Sequence, residues 1–257
     1  MRDESLYNLA QENEIFILLK YLPDAVSMAV GNDSLWTGTG RPPNDLYDVL
    51  LCLCLQHHIN WSCRRSIGMI KLLCKFARIQ ITIPSWRTLS RYREKDIIKP
   101  YLDALITQTS KPLNLIEHDF STDMTGVSTS CFSTWFSLRC KRRIRFRDHI
   151  SAHVSTSRIL NSCVAVDVDC NKGKDSVYMR KHIRDIRNNF GIDDWCGDSK
   201  YLARKNCEEV ESAGGKPWFM PKKNTTHKPK GCLAWKKMIK LAHNDLEEFD
   251  RHYHKRS

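Results

Sequence analysis

The sequence predicts a mixed α/β protein in which an all-α N-terminal domain precedes a mixed β-sheet flanked by helices. Apolar residues recur at helical spacing between residues 44 and 93, and extended segments alternate with helical ones from residue 113 onward. The segment Ser110-Lys111-Pro112 between these regions is typical of a linker, so we place the domains at residues 1–110 and 111–257. A chain of 257 residues with 41% hydrophobic content is long enough for both.

Three helices are predicted in the first domain. They begin after Pro43-Asn44, at Ser62 and at Pro84-Ser85, where a breaker or a good N-cap residue precedes apolar residues at helical spacing. The arrangement resembles a helix-turn-helix, whose third helix would offer three cations to DNA phosphates or base edges: Arg87, Arg91 and Arg93. A helical bundle with a solvated basic face is the alternative, and no spacing here excludes it.

The second domain alternates strands and helices. The predicted elements are strands at Leu115–Thr122, His149–Thr156 and Ile159–Val168, a helix at Asp175–Phe190, a strand at Ile192–Cys196, a helix at Ala203–Ala213 and a strand at Pro217–Met220. The second and third strands, joined by Ser157-Arg158, suggest an antiparallel hairpin.

This order of elements resembles the ribonuclease H-like fold, in which the first and fourth strands lie side by side. By that resemblance, Asp123 and Asp198 would come together at one end of the sheet. Each aspartate taken alone is typical of a turn, because Asp123 precedes a glycine, Gly126, and Asp198 follows one, Gly197. As an ordered pair at strand ends, they are better explained as catalytic residues.

Several short motifs occur in the order found in one enzyme family. They are Asp123-Met124-Thr125-Gly126, Lys174-Asp175-Ser176, Gly197-Asp198-Ser199-Lys200-Tyr201, Pro221-Lys222-Lys223-Asn224 and Tyr253-His254-Lys255-Arg256. Together they resemble the DDE transposases of insertion elements of the IS4 and IS5 type, over nearly the whole chain. Asp-x-Thr-Gly also describes the turn of an aspartic protease, but such an enzyme would need a second turn of this kind or a homodimer.

The resemblance implies metal-dependent DNA strand cleavage and transfer for an insertion element. Asp123 and Asp198 would be both catalytic residues and ligands of Mg²⁺ or Mn²⁺, since hard cations are held by clustered carboxylate oxygens. The partner would be double-stranded DNA, as the terminal inverted repeats of the element and as its target. Joining two ends would call for a homodimer.

The family signature near the C-terminus is a Tyr, two residues, an Arg, three residues and then the third catalytic carboxylate, a Glu. Tyr253 and Arg256 match its beginning and are carried over as DNA-binding residues, but the Glu would lie beyond Ser257. We therefore expect a C-terminally truncated transposase that binds DNA and cleaves it poorly. The alternative is a non-catalytic remnant that acts as a competitor or regulator at element ends.

Basic residues support a nucleic-acid partner. The formal net charge is +12, and a cationic chain attracts polyanions. Two clusters are predicted to bind DNA phosphates, and their members are Arg142, Arg143 and Arg145 in the first and Lys222 and Lys223 in the second. A solvated loop or a half-buried strand edge would also account for the first cluster.

The cysteines and the apolar segments limit which other classes of protein this chain could belong to. Eleven cysteines are consistent with buried free thiols, and the spacing of Cys52 and Cys54 does not suit a zinc knuckle, although a thiol-rich metal or structural protein stays a third hypothesis. Met1-Arg2-Asp3-Glu4 is too charged to open a signal peptide, and the run Val49–Leu55 is too short to span a bilayer. We expect a cytoplasmic protein that associates with the nucleoid when bound to DNA and has no membrane partner.

Overall fold

A computed structural model divides the chain into two compact units, Met1–Thr109 and Ser110–Ser257. The structure describes residues 4–33, 42–128, 139, 149–169, 175–222, 224–226 and 229–254. The division lies beside the segment that the sequence indicates as a linker. None of the helices within the described ranges has the length and hydropathy needed to cross a membrane.

The first unit is helical and is built around its third helix. Its elements are α1 (Glu4–Glu12), α2 (Glu14–Val30), α3 (Leu46–Ile59), α4 (Cys63–Phe76), α5 (Trp86–Arg93), a 3₁₀ turn (Asp96–Ile98) and α6 (Lys99–Ser110). Leu50, Leu51 and Leu55 of α3 are fully buried. The helix is central because it packs against α2, α4 and α5.

Side-chain caps fix where two of the predicted helices begin. The carboxylate of Asp45 accepts hydrogen bonds from the backbone N–H groups of Tyr47 and Asp48, so the cap of α3 lies one position beyond the predicted Asn44. The Ser85 hydroxyl accepts from the N–H of Thr88 and caps α5 where the sequence places it.

The short turn of the first unit lies between α3 and α4, where Asn60, Trp61 and Ser62 connect them and Asn60 adopts a left-handed φ of 54°. The link from α4 to α5 spans residues 77–85. It is longer than the turn of a helix-turn-helix motif, which has three or four residues. The short turn therefore does not lead into α5, the helix predicted to recognise DNA.

The second unit contains a five-stranded mixed sheet flanked by helices, which confirms the coarse fold class. The strands are β1 (Asp119–Ser128), β2 (His149–Ser157), β3 (Cys163–Asp169), β4 (Asp194–Gly197) and β5 (Lys216–Phe219), and the helices are α7 (Asp175–Ile186), α8 (Arg204–Ser212), α9 (Leu233–Asn244) and α10 (Leu246–His254). The strand order is β3-β2-β1-β4-β5. The pairs β1–β2 and β2–β3 are antiparallel, whereas β1–β4 and β4–β5 are parallel.

The first strand begins and ends later than predicted. Residues Lys111–Leu115 form a 3₁₀ turn, and β1 continues through Ser128 instead of ending at Thr122. Asp123 therefore lies within a strand, opposite Val154 of β2, and not in a turn after it. The prediction was wrong because the pairing with β2 continues β1 beyond Asp123, and this pairing depends on residues far away in the chain.

The antiparallel hairpin of β2 and β3 is confirmed, but its connection is longer than Ser157-Arg158. Ile159 and Leu160, which the sequence pattern places in β3, lie in the connection, and their N–H groups donate to the carboxylate of Glu117 at 3.1 and 2.6 Å. Asn161 then takes a left-handed φ of 52°. The buried Glu117 carboxylate holds this loop away from the sheet ladder, so β3 begins only at Cys163.

Buried hydroxyl groups join the central strands on the side of the sheet that packs against α7. The hydroxyls of Thr122 and Ser155 are 2.7 Å apart, and Trp195 Nε1 donates to Thr122 Oγ1 at 3.1 Å. Ser155 Oγ also lies 2.8 Å from Nδ1 of His182 in α7. Both hydroxyls therefore have partners, as burial in a region of low polarity requires.

His182 continues this network to the edge of the helix. Its Nε2 lies 3.3 Å from Oδ2 of Asp167, whose carboxylate is also bound by Lys181 Nζ at 2.7 and 2.8 Å. Burial lowers the pKa of His182 to about 4, which outweighs the opposite effect of the Asp167 carboxylate. Lys181 lowers it further, so the ring is neutral near pH 7.

The pKa of His182 predicts an acid-sensitive fold. The folded-state pKa of about 4 lies below the ordinary value of 6.5, so the unfolded chain takes up a proton first. The free energy of unfolding should then fall as pH falls from 6.5 toward 4, with a slope from this group of at most about 1.4 kcal/mol per pH unit. Urea unfolding of the wild type and of His182→Gln over this range, followed by tryptophan fluorescence, measures the difference. Parallel pH profiles of the two proteins would contradict the assignment.

Candidate functional site

Asp123 and Asp198 follow directly on a stretch of parallel pairing between β1 and β4. The register pairs Phe120 with Trp195, Ser121 with Cys196, and Thr122 with Gly197, and the next residue of each segment is an aspartate. Neighbouring strands are about 4.8 Å apart in the direction of their hydrogen bonds. The pairing therefore brings the backbones of the two predicted site residues to the same level of the sheet.

A tight turn holds Asp198 after the end of β4. Its Oδ1 accepts a hydrogen bond from the N–H of Lys200 at 2.8 Å, and its carbonyl oxygen accepts from the N–H of Tyr201 at 3.1 Å. This is the way in which aspartate commonly stabilises a turn. The turn bonds use one carboxylate oxygen of Asp198 and leave its Oδ2 for other ligands.

Gly197, the residue before this turn, packs closely against two aromatic rings. A Cβ atom at this position would lie 3.1 Å from the rings of both Phe219 and Tyr201. The absence of a side chain lets the two aromatic rings close over the end of β4. In the motif Gly197-Asp198, the glycine is therefore needed for packing, and the aspartate supplies the carboxylate.

The side chain of Tyr201, three residues after Asp198, is fully buried. Burial raises the pKa of the Tyr201 phenol, and the negative charges of Asp175, Asp123 and Asp198 raise it further, in that order. Asp175 stands in the first turn of α7 and lies 3.7 Å from Nδ1 of the buried His153. Sequence reasoning marked Asp175 only as part of a motif and did not single out Tyr201 or His153 as site residues.

The chemistry of the donors suits a magnesium ion. Magnesium is commonly held by one or two protein carboxylates together with water and substrate phosphates, and Asp123 and Asp198 offer carboxylates of this kind. Within the described part of the chain, no group of three or more His, Cys, Asp or Glu side chains is arranged to hold a metal ion. A magnesium ion at Asp123 and Asp198 would therefore need its remaining ligands from water or substrate.

Buried thiols give no support to a cysteine metal site in the first unit. Cys52 and Cys54 are free, and burial raises the pKa of their thiols to about 12 and about 11. Burial therefore keeps both thiols protonated in the metal-free fold.

The three predicted DNA-binding arginines of α5 are all exposed to solvent. Arg87 and Arg91 are exposed, and the Arg87 guanidinium lies 5.2 Å from the centre of the Trp86 ring. Arg64 of α4 lies 4.5 Å from the same ring. Trp86 is only partly buried, and its ring carries cation–π contacts with both guanidinium groups.

Arg93 differs from these two arginines because its guanidinium is engaged within the fold. It donates hydrogen bonds to Oε1 of Gln56 and, at 3.1 Å, to Sγ of Cys63. The predicted role in DNA contact would require this side chain to exchange partners.

The remaining predicted DNA-binding residues differ in their surroundings. Lys222 is exposed, whereas Tyr253 is buried in the core of the second unit and stacks on Phe249 at a ring distance of 6.0 Å. Such burial does not suit direct contact with DNA. Arg142, Arg143, Arg145, Lys223 and Arg256 lie outside the described residues.

Comparison of the chain with models of known protein families, with curated proteins and with solved structures found no match.

The carboxylate pair predicts stabilisation by divalent cations. Mn²⁺ or Mg²⁺ at ten times its dissociation constant should add about 1.4 kcal/mol to the free energy of unfolding, because the ion binds only the folded site. Asp123→Asn and Asp198→Asn should abolish this gain, and without cation they should be at least as stable as the wild type because a like charge is removed. Thermal unfolding with and without cation measures both effects.

Asp193→Asn provides the matched control, because Asp193 is exposed and lies just before the opposite end of β4. This variant should respond to cations as the wild type does. Equal responses of Asp123→Asn and Asp193→Asn would argue against a cation site at the end of the strands.

Proposed function

We propose that the chain is a DDE-type DNA transposase with a ribonuclease H-like second unit, and that it acts on the DNA of an insertion element. The observation that carries the proposal is the parallel register of β1 and β4, which ends at Thr122 and Gly197 with Asp123 and Asp198 next. A sheet of order β3-β2-β1-β4-β5 with an antiparallel β2 is compatible with this fold.

The reaction would be the breakage and rejoining of a phosphodiester bond. A divalent cation held at the site would supply activation of the attacking oxygen and stabilisation of the departing one. Asp123 and Asp198 would hold it through their carboxylate oxygens. The tight turn after β4 would keep the Asp198 carboxylate in place through its bond to the Lys200 N–H.

The first unit would supply much of the affinity for DNA. Exposed Arg87 and Arg91 lie one turn apart on α5, and Arg64 and Arg87 both contact the ring of Trp86. Guanidinium groups held in this way have given up part of their conformational freedom before they meet phosphates. Arginine contacts to the backbone would give binding that weakens steeply with salt.

A second candidate function is binding to element ends without cleavage. It is favoured by one observation, that no third acidic, histidine or cysteine ligand joins the pair among the residues described. A site with two carboxylates carries less negative charge than one with three and holds its cation more weakly. The polypeptide would then compete with a complete enzyme for the same DNA.

Cleavage separates these two functions. We expect the purified chain to bind duplex DNA that carries the ends of the element, and to nick it only slowly in Mg²⁺ or Mn²⁺. The slow nicking should disappear in Asp123→Asn and in Asp198→Asn, while DNA binding persists. Robust nicking that is abolished in both variants would mean that a further ligand completes the site. Nicking that survives both substitutions would refute the proposed active site.

The salt dependence of DNA binding tests the role of α5. Arg87→Ala and Arg91→Ala should each weaken binding to all sequences, because each removes a cation that neutralises a phosphate. The slope of log K against log salt should become shallower by about 1 for each phosphate that is no longer neutralised. Fluorescence anisotropy of a labelled duplex at several salt concentrations measures the slope.

Arg184→Ala is the control for the loss of one positive charge, because Arg184 is half exposed and lies 3.7 Å from Glu209 in the second unit. Its slope should match that of the wild type. If all three variants shifted the slope equally, general charge and not the α5 surface would explain binding.

A further inference from the structure

A row of exposed residues, three of them basic, runs along one face of α4. Its members are Arg64, Gly68, Lys71 and Lys75, whose spacings of four, three and four residues place them on the same side of a helix. All four are exposed. The buried residues of the helix lie on a different face, and they are Ser66, Ile70 and Cys74. We call the exposed set the α4 row.

The cations of the α4 row have no ion pair with a carboxylate among the described residues. Lys71 and Lys75 lie one turn apart, and like charges at this spacing destabilise a helix. Arg64 contacts the ring of Trp86, which Arg87 of α5 also contacts. The row therefore begins at the α5 surface and extends along α4 for about 16 Å, at a rise of 1.5 Å per residue.

Gly68 interrupts the row and weakens the helix. Glycine is the least favourable residue in a helix interior apart from proline. A Cβ at this position would meet no atom of the described residues within 4 Å, so packing inside the described fold does not require a glycine here. Its backbone is helical, so no turn requires it either. A glycine in such a place lets another molecule approach the helix backbone closely.

Arg78 follows the end of α4 in a conformation that glycine or asparagine usually adopts. Its φ is 57°, its N–H donates to the Lys75 carbonyl at 3.3 Å, and the N–H of Ile79 donates to the Cys74 carbonyl at 2.9 Å. At the end of α3, the left-handed residue is Asn60. An arginine in this conformation is strained. Beside it lies a groove of about 410 Å³, whose lining includes three cations, Lys71, Lys75 and Arg78.

We propose that the α4 row and Arg78 bind the phosphate backbone of double-stranded DNA, with Gly68 where the DNA comes closest to the helix. The inference rests on the proposed function and adds a second helix to its DNA-binding surface. Lysine and arginine side chains carry hydrogen-bond donors and no acceptors, so their ligand is an anion. Cations spread along about 16 Å of helix suit a polyanion better than a single small anion.

A purely structural explanation makes a different prediction. Cations near the C-terminal end of a helix are stabilising, which would account for Lys75 and Arg78. It would not account for Gly68, which weakens the helix. If these residues served the fold alone, replacing them would leave DNA binding unchanged. If they serve DNA binding, replacing Gly68 or Arg78 with a residue better suited to its backbone weakens binding without loss of stability.

The test measures DNA binding and melting temperature on the same variants of the full chain. Lys71→Ala and Lys75→Ala should each weaken binding of a labelled duplex and make the slope of log K against log salt shallower by about 1. Gly68→Gln and Arg78→Asn should also weaken binding, while their melting temperatures are unchanged or higher. Glutamine favours a helix more than glycine does, and asparagine tolerates a left-handed φ.

Lys99→Ala is the matched control for the loss of one positive charge in the first unit. The Lys99 ammonium lies 2.9 Å from Oδ2 of Asp103, so its charge is already balanced within the fold. This variant should bind the duplex with the affinity and the salt slope of the wild type.

The outcomes separate this inference from the proposed function. Wild-type affinity and slope in Lys71→Ala and Lys75→Ala, with binding weakened in Arg87→Ala, would overturn the role of the α4 row and leave the proposed function standing. A lower melting temperature of Gly68→Gln or Arg78→Asn would also overturn it, since these residues would then serve the fold. So would an equal loss of binding in Lys99→Ala. A wild type that binds no duplex DNA overturns the proposed function itself.

Discussion

The parallel pairing of β1 with β4 is the constraint on which the candidate site depends. The two strands are separated in the chain by β2, β3 and α7, and parallel neighbours can be joined only by such a crossover. Side chains alternate between the faces of a sheet, so a shift of β4 by one residue would move Asp198 to the other face from Asp123. The site thus exists in only one register.

Hydrogen bonds between buried polar groups fix this register, because they form only when specific residues lie opposite one another. The Thr122 hydroxyl meets both Ser155 of β2 and the Trp195 indole of β4, and so joins three strands at the level just before Asp123. At the other end of the pairing, the N–H of Asp194 donates to Asp119 Oδ1 at 3.2 Å. A slipped register would leave these groups buried without partners, and each unsatisfied group of this kind costs about 1–3 kcal/mol.

The coarse fold could be predicted from the sequence because periodicity and breakers are local signals. The order of elements in the second unit follows from them, whereas the adjacency of its first and fourth strands was expected only from the resemblance to the ribonuclease H-like fold. The extent of β1 does not, because Asp123 is kept in a strand by its partner Val154. The buried face of β2 could not be predicted either, because polar residues occupy it: Ser151, His153 and Ser155. The hydroxyl of Ser155 finds its partners on β1 and α7.

The two aspartates of the site could be proposed from turn motifs and element order, but their surroundings could not. Asp175 meets His153 only after α7 and β2 have packed, and nothing near these residues in sequence signals the contact. The burial of Tyr201 is likewise a property of the fold. Local patterns therefore indicate which groups can do chemistry, and long-range packing decides which groups assist them.

The charges around the site argue against the simpler explanation that both aspartates are only turn formers. The chain carries a net charge of +12, and other aspartates of the second unit have cations beside them, such as Asp119 with Arg158 and Asp167 with Lys181. Among the residues described, neither Asp123 nor Asp198 has an ion pair. Like charges at the ends of neighbouring strands repel, and a basic chain could readily have neutralised them. Under the proposed function, two like charges at one level of the sheet are explained by a divalent cation that binds both carboxylates.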